Sequence, residues 1–240
     1  MTAKEFSDGF DTLLNSYARS AGFGNTGAIQ DINLNEYEKS YFLTQAQEQL
    51  VLAYYTGKNS TLDSFEKTEE IRRYLSNLVE TVEQDPETDD SIKLLDSNSK
   101  IFSLPDDLWF ITYESVKLAT DSSDPCSSGK EIQVVPVTQD EFHRISRNPF
   151  RRPSLRRALR LDLNDNKVEI VSSYNIAKYK VRYIRQLDPI VVSDLDDSTT
   201  VENYNVENGC TLHSALHRPI LELAVRLALQ SKGIQIQNKN

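Results

Sequence analysis

Between Glu5 and Ala18 the apolar residues Phe6, Phe10, Leu13, Leu14 and Tyr17 recur at spacings of three and four, the pattern of a helix with one buried face. A glycine-rich break at 21–27 follows, and a second stripe, Tyr37, Tyr41, Leu43, Ala46, Leu50 and Ala53, runs to Gly57. Asn33 and Glu36 are spaced as a capping pair for its start, and Asp63 with Glu66 repeats that spacing before Ile71, Leu75, Leu78 and Val82. Asp85-Pro86 blocks continuation of this third helix. Two helices so closely joined are expected to pack antiparallel.

Beyond Pro86 the apolar period changes to alternation. Strands are predicted at Lys100 to Leu104, Leu108 to Leu118 and Ile132 to Val137, followed by a short helix from Thr138 to Ile145 with Glu141 as capping partner. Leu159 to Leu163 and Val168 to Val171 flank Asn164-Asp165-Asn166-Lys167, whose residues tolerate positive φ, and predict a hairpin. Tyr179 to Ile184 forms a further strand, stopped at Asp188-Pro189. After Pro219 the residues Ile220, Leu221, Leu223, Ala224, Val225, Leu227, Ala228 and Leu229 surround most of a helical axis, so this last helix must be buried on nearly all sides, against the N-terminal helices. The expected class is α+β. It has an N-terminal helical part (1–86), a central antiparallel sheet or sandwich with extended arm loops (87–205) and a C-terminal helix (206–240) packed on the first helices.

Charge changes this picture. The chain carries a net charge of −9, and residues 1–100 hold nine Lys and Arg against eighteen Asp and Glu. Yet from His143 to Leu161 there are seven arginines, Arg144, Arg147, Arg151, Arg152, Arg156, Arg157 and Arg160, and no carboxylate. Such polarity favours head-to-tail association, in which a basic arm meets an acidic face. The arm is expected at 144–160, extended and stiffened by Pro149 and Pro153, with Phe150 at its centre. Docking onto an acidic protein surface is favoured over nucleic-acid contact, because the acidic chain lacks a broad basic footprint. A solvated β-loop is the bland alternative.

Other chemistry is sparse. No glycine-rich phosphate loop, nucleophile elbow or His-Glu-x-x-His occurs. Cys210, His213 and His217 resemble a metal spacing, but a structural zinc site needs a fourth ligand and a catalytic one needs supporting carboxylates, so neither metal nor cofactor is expected. His217 is instead expected to cap or pack the start of the last helix. Cys126 and Cys210 are too far apart to suggest a disulfide framework. No run reaches the roughly 20 apolar residues of a membrane span, and the N-terminus lacks a signal-peptide pattern, so synthesis in a cytosol is expected.

Several stretches resemble neck and tail ring proteins of crAss-like phages of gut Bacteroidales. They are 34–48, with Phe65-Glu66 and 69–75; Val134 to Phe142; Asn148-Pro149-Phe150-Arg151-Arg152-Pro153; Tyr179 to Arg185; and Cys210-Thr211-Leu212 through Leu229. The resemblance implies a non-enzymatic virion protein forming a closed ring of about twelve copies in the head-to-tail connector or tail, contacting the portal or other neck and tail rings. Genomic DNA would pass through transiently. A channel for DNA should bind it weakly, so acidic Asp8, Glu36, Glu66 and Glu69 are expected near the lumen or a subunit seam, with the arginine arm facing protein. The alternative is a nucleic-acid-binding accessory or regulatory protein using the arm.

Overall fold

The computed structural model describes residues 1–20, 34–58, 65, 68–88, 93–96, 98–120, 128–196 and 198–232. In chain order the helices are α1 (Ala3–Ser20), α2 (Glu36–Thr56), α3 (Glu69–Tyr74), α4 (Phe142–Ser146) and α5 (His217–Ser231). The strands are β1 (Val79–Gln84), β2 (Lys100–Ser103), β3 (Leu108–Leu118), β4 (Glu131–Pro136), β5 (Arg157–Asp162), β6 (Lys167–Val171) and β7 (Ile176–Arg185). The chain forms two compact units, 1–77 with 187–240 and 78–186. Residues 187–205, expected with the strands, therefore belong to the helical unit, and 78–86 belong to the β unit.

In the helical unit α1 buries Phe6, Phe10 and Leu14, the expected face, and α5 packs against both α1 and α2. Gly9 permits the close approach of α1 to α5: a Cβ there would lie 2.9 Å from Leu221 Cδ2. The start of α2 falls two residues later than expected, with Asn35 Oδ1 accepting from Glu38 N at 2.7 Å and Glu38 Oε2 accepting from Asn35 N at 3.1 Å. Glu36, expected as the capping acid, instead holds Lys39 at 3.0 Å; Asn33 lies outside the described residues. Gly57 ends α2 at φ 75°, a left-handed conformation that glycine adopts without strain.

The third expected helix is cut short and its last six residues are strand. α3 stops at Tyr74, a 3-10 turn spans Ser76–Leu78, and Val79–Gln84 pairs antiparallel with β7, from Val79 opposite Ile184 to Gln84 opposite Tyr179. Val79, Thr81 and Val82 are β-branched, and a waiting partner strand outweighs an apolar spacing that also suited a helix. Asp63 and Glu66, the expected cap, lie outside the described residues; α3 opens at Thr68 without a side-chain cap.

The β unit is one seven-stranded sheet in the order β1-β7-β3-β4-β5-β6-β2. It is mixed, not purely antiparallel, because β4 and β5 run parallel. The expected β5–β6 hairpin is present, with Asp165 and Asn166 at φ 56° and 54° in its turn. The sheet curls until its ends meet: Glu87 N, just beyond β1, donates to Ile101 O of edge strand β2 at 2.8 Å. Phe102, Val116, Ile132, Val168, Tyr179 and Val181 fill the interior. Phe102 on β2, the last strand of the order, and Tyr179 on β7, the second, have ring centroids 5.3 Å apart. On the other face Phe142 and Ile145 of α4 cover Leu159, Leu161 and Val171. This helix begins at Phe142 instead of Thr138, since Val137 N still donates to Arg160 O at 2.8 Å and Thr138 O accepts from Glu141 N in a preceding turn.

Candidate docking surface

Parallel neighbours cannot be joined by a tight turn; they need a crossover of a dozen residues or more. Residues 137–156 supply it, and the arginine stretch lies within that crossover. α4 anchors its first half to the sheet. Past α4 the chain takes consecutive tight turns in place of a continuous extended arm: Asn148 O accepts from Arg151 N at 3.0 Å and Arg152 N at 2.9 Å, and Ser154 and Arg157 exchange backbone hydrogen bonds at 2.8 and 3.2 Å. Pro149 and Pro153 suit turns as readily as extended chain. The Ser173 hydroxyl donates to Pro153 O at 2.9 Å, and the Arg157 guanidinium donates to Phe150 O at 3.4 Å, so the loop is held from two sides.

The turns leave Phe150 92% exposed at the tip. Arg144, Arg147, Arg151, Arg152 and Arg156 are exposed around it, and Arg144 pairs with Glu141. Arg147, Arg151, Arg152 and Arg156 form no ion pair among the described residues. Beside them an open groove of about 770 Å³ runs between the loop and the β6–β7 turn, lined by Arg152, Pro153, Arg156, Phe142, Tyr174 and Asp96.

Arg160 stands apart. Its position in β5 points it along the interior face, where Nη1 donates to Glu114 Oε1 at 2.7 Å while the Tyr179 hydroxyl donates to Oε2 at 2.7 Å. Asp162 Oδ1 lies 3.1 Å from Arg160 Nε, close enough for charge attraction but without hydrogen-bond geometry. Burial pushes the Glu114 carboxyl above its ordinary range, and Arg160 and Tyr179 pull it back. Burial, reinforced by the Glu114 charge, pushes the Tyr179 phenol up. The local sequence carries no signal of this buried pair: Arg160 alternates with Leu159 and Leu161, which reads as a solvent-facing position, and only the curl of the sheet puts that face inside, where the guanidinium requires a buried carboxylate.

The acidic candidates belong to the helical unit. Asp8 on α1 and Glu69 in the first turn of α3 are exposed, and Glu66 lies outside the described residues. Glu36 is half-buried around Lys39, whose Nζ reaches Asp11 at 2.8 Å, Glu36 at 3.0 Å and Ser7 at 3.2 Å. Burial alone would lower the Lys39 pKa; Asp11 and Glu36 outweigh it and hold the ammonium above its ordinary value.

Cys210, His213 and His217 have separate partners. Cys210 donates to Gln47 Oε1 at 3.2 Å, and His213 Nδ1 accepts from Ala215 N at 3.2 Å. Among the described residues no three His, Cys, Asp or Glu converge. His217 Nδ1 accepts from the Met1 ammonium at 2.7 Å, which leaves Nε2–H to donate to Leu212 O at 3.0 Å. Burial pulls its pKa down. A folded pKa below the unfolded one makes the neutral ring a stabilising group above the unfolded pKa, with stability lost as the pH falls below about 6.5. Thermal melts between pH 5 and 7.5 should show this slope, and His217→Gln should flatten it.

The comparisons with known proteins decide what kind of molecule carries this loop. The family model described as phage tail ring protein 3/4 matches residues 1–240. The chain belongs to that family. It is 48% identical over 240 residues, all of both chains, to ring protein 3 of Bacteroides phage crAss001. It is 30% identical over 237 residues to ring protein 4/5 of the same phage, covering 95% of this chain and 92% of that one. This ring protein is accordingly a structural component of a phage tail. Among its described residues no helix is long and apolar enough to cross a membrane.

Proposed function

We propose that this ring protein assembles as a closed, non-enzymatic ring of about twelve copies in the neck or tail barrel, stacked on the portal or other rings, with DNA passing through its lumen. The observation that carries the reading is the arginine loop, which is held rigidly by backbone hydrogen bonds, is crowned by an exposed Phe150 and has four arginines without ion pairs among the described residues. A fixed aromatic tip ringed by arginines is the composition of a protein-contact hot spot. Asp8 and Glu69, exposed and acidic, face the lumen or a seam, where they repel DNA phosphates and keep drag low; Glu36 and Glu66 belong to the same acidic part of the chain.

Native mass spectrometry of the recombinant protein is the test, and the expected result is one discrete multimer free of nucleic acid. A monomer at every concentration, joined by a salt-sensitive DNA shift that disappears when Arg151, Arg152 and Arg156 become Ala, would replace the ring with a nucleic-acid-binding protein.

A further inference from the structure

We propose that the Phe150 loop of each copy docks on the outward face of α2 in the next copy, so that one heterologous contact repeats around the ring. The inference rests on the ring reading and adds the partner surface to it.

The outward face of α2 is unusual. Tyr37, Tyr41 and Leu52 are 37%, 49% and 44% exposed, and Glu48 lies between them at helical spacing. The adjoining side is already covered, since Ser40, Thr44 and Gln47 bond backbone groups of 188–192 and Val51 is buried, and the opposite side buries Leu43 and Ala46. A helix apolar on both sides is ordinarily buried on both. The helix holds a single basic residue, Lys39, which is buried with Asp11 and Glu36, and Glu38 is paired with Lys232 at 3.6 Å, so the outward face presents aromatic rings and one carboxylate, Glu48, with no ion pair among the described residues. That composition is the complement of the loop, with its exposed Phe150 among Arg147, Arg151 and Arg152.

A second feature adds a place for the charge. The Val201–Tyr204 bridge closes a two-residue turn with Glu202 at φ 49° and Asn203 at φ 71°, and this turn sets the Glu202 carboxyl beside that of Glu48. Burial, then the neighbouring Glu202, holds the Glu48 carboxyl above its ordinary range. A guanidinium inserted at the pair would be matched by two carboxylates, which is how arginine binds most strongly. The loop and the α2 face are different surfaces, so when each copy gives its loop to one neighbour and its α2 face to another the contact is heterologous and generates a ring or filament, whereas reciprocal exchange within one pair would stop at a dimer. A loop-on-loop contact would oppose arginine to arginine.

The test uses the full-length chain with Cys126→Ser and Cys210→Ser. One batch carries Phe150→Cys and the other Tyr41→Cys; the two are mixed and treated with a short bismaleimide, with Lys4→Cys as an exposed control in place of Tyr41→Cys. A Phe150-to-Tyr41 adduct well above the control is expected. In parallel, Arg151→Glu with Arg152→Glu should raise the concentration needed for assembly on the order of 10²-fold. Glu48→Lys with Glu202→Lys should do the same, and all four changes in one chain should recover much of the loss. Multimers without the adduct, or with loop reversal harmless, or with the four-fold variant no better than either pair, would overturn the contact while leaving the ring intact. A wild-type chain that never multimerises would overturn the ring reading and the contact together.

Discussion

Glu114→Ala will lower the unfolding free energy of the β unit by about 3–5 kcal/mol, read from urea denaturation followed by Trp109 fluorescence. Trp109 is the only tryptophan and sits on β3, so its emission reports this unit. The size of the effect comes from what is left behind. Glu114 is 7% exposed and the Arg160 side chain 11%, so truncation strands a guanidinium in the sheet interior and leaves the Tyr179 hydroxyl without its acceptor. The pair is a different matter from either half. Replacing both, as Glu114→Leu with Arg160→Met, should bring stability back to within about 1 kcal/mol of wild type or above it, because desolvation offsets most of the Coulomb gain in a buried ion pair. A single variant as stable as wild type would mean that water reaches Arg160.

Phe102→Ala is the second large effect, again about 3–5 kcal/mol by the same measurement. Phe102 is fully buried on β2, the last strand in sheet order, and packs on Tyr179 from the far side of the curled sheet. Removing the ring takes away burial and also the contact that spans the interior. Phe102→Leu keeps most of the volume and should cost under about 1.5 kcal/mol. A loss below about 1 kcal/mol for Phe102→Ala would show that the interior collapses around the gap and that curling does not depend on this residue.

Much of the local structure was legible because it depends on neighbours in sequence. The face of α1, the stop at Gly57 and the hairpin at 164–167 each follow from residues within a few positions of one another, whereas α5, expected to be buried on nearly all sides, buries one broad face and leaves Arg218, Arg226 and Gln230 exposed. The misread elements share one cause. Val79–Gln84 has spacings compatible with helix and strand, and only β7, about a hundred residues later, decides between them. Thr138 looked like a cap because its sequence fits one, but the backbone at Val137 is still held by Arg160.

The candidate surface divides the same way. That arginines cluster in an otherwise acidic chain is a fact of composition, and composition alone points to docking. Which arginines are available is not. Arg160 and Arg157 are turned to internal acceptors, Arg144 to Glu141, and the exposed set reduces to Arg147, Arg151, Arg152 and Arg156 around Phe150. The exposed face of α2 was missed because Tyr37 and Tyr41 read as core-facing; their exposure depends on which side of the helix the segment 188–192 covers.

Most helix faces, the turn chemistry, the charge polarity and, through its motifs, the family are written in local runs of residues. The parallel β4–β5 pairing, the curl that closes over Phe102 and the partners of each arginine arise only when distant segments meet. Pairing partners and burial are long-range properties: a strand's register and a charge's solvation depend on residues far along the chain, which no local pattern encodes.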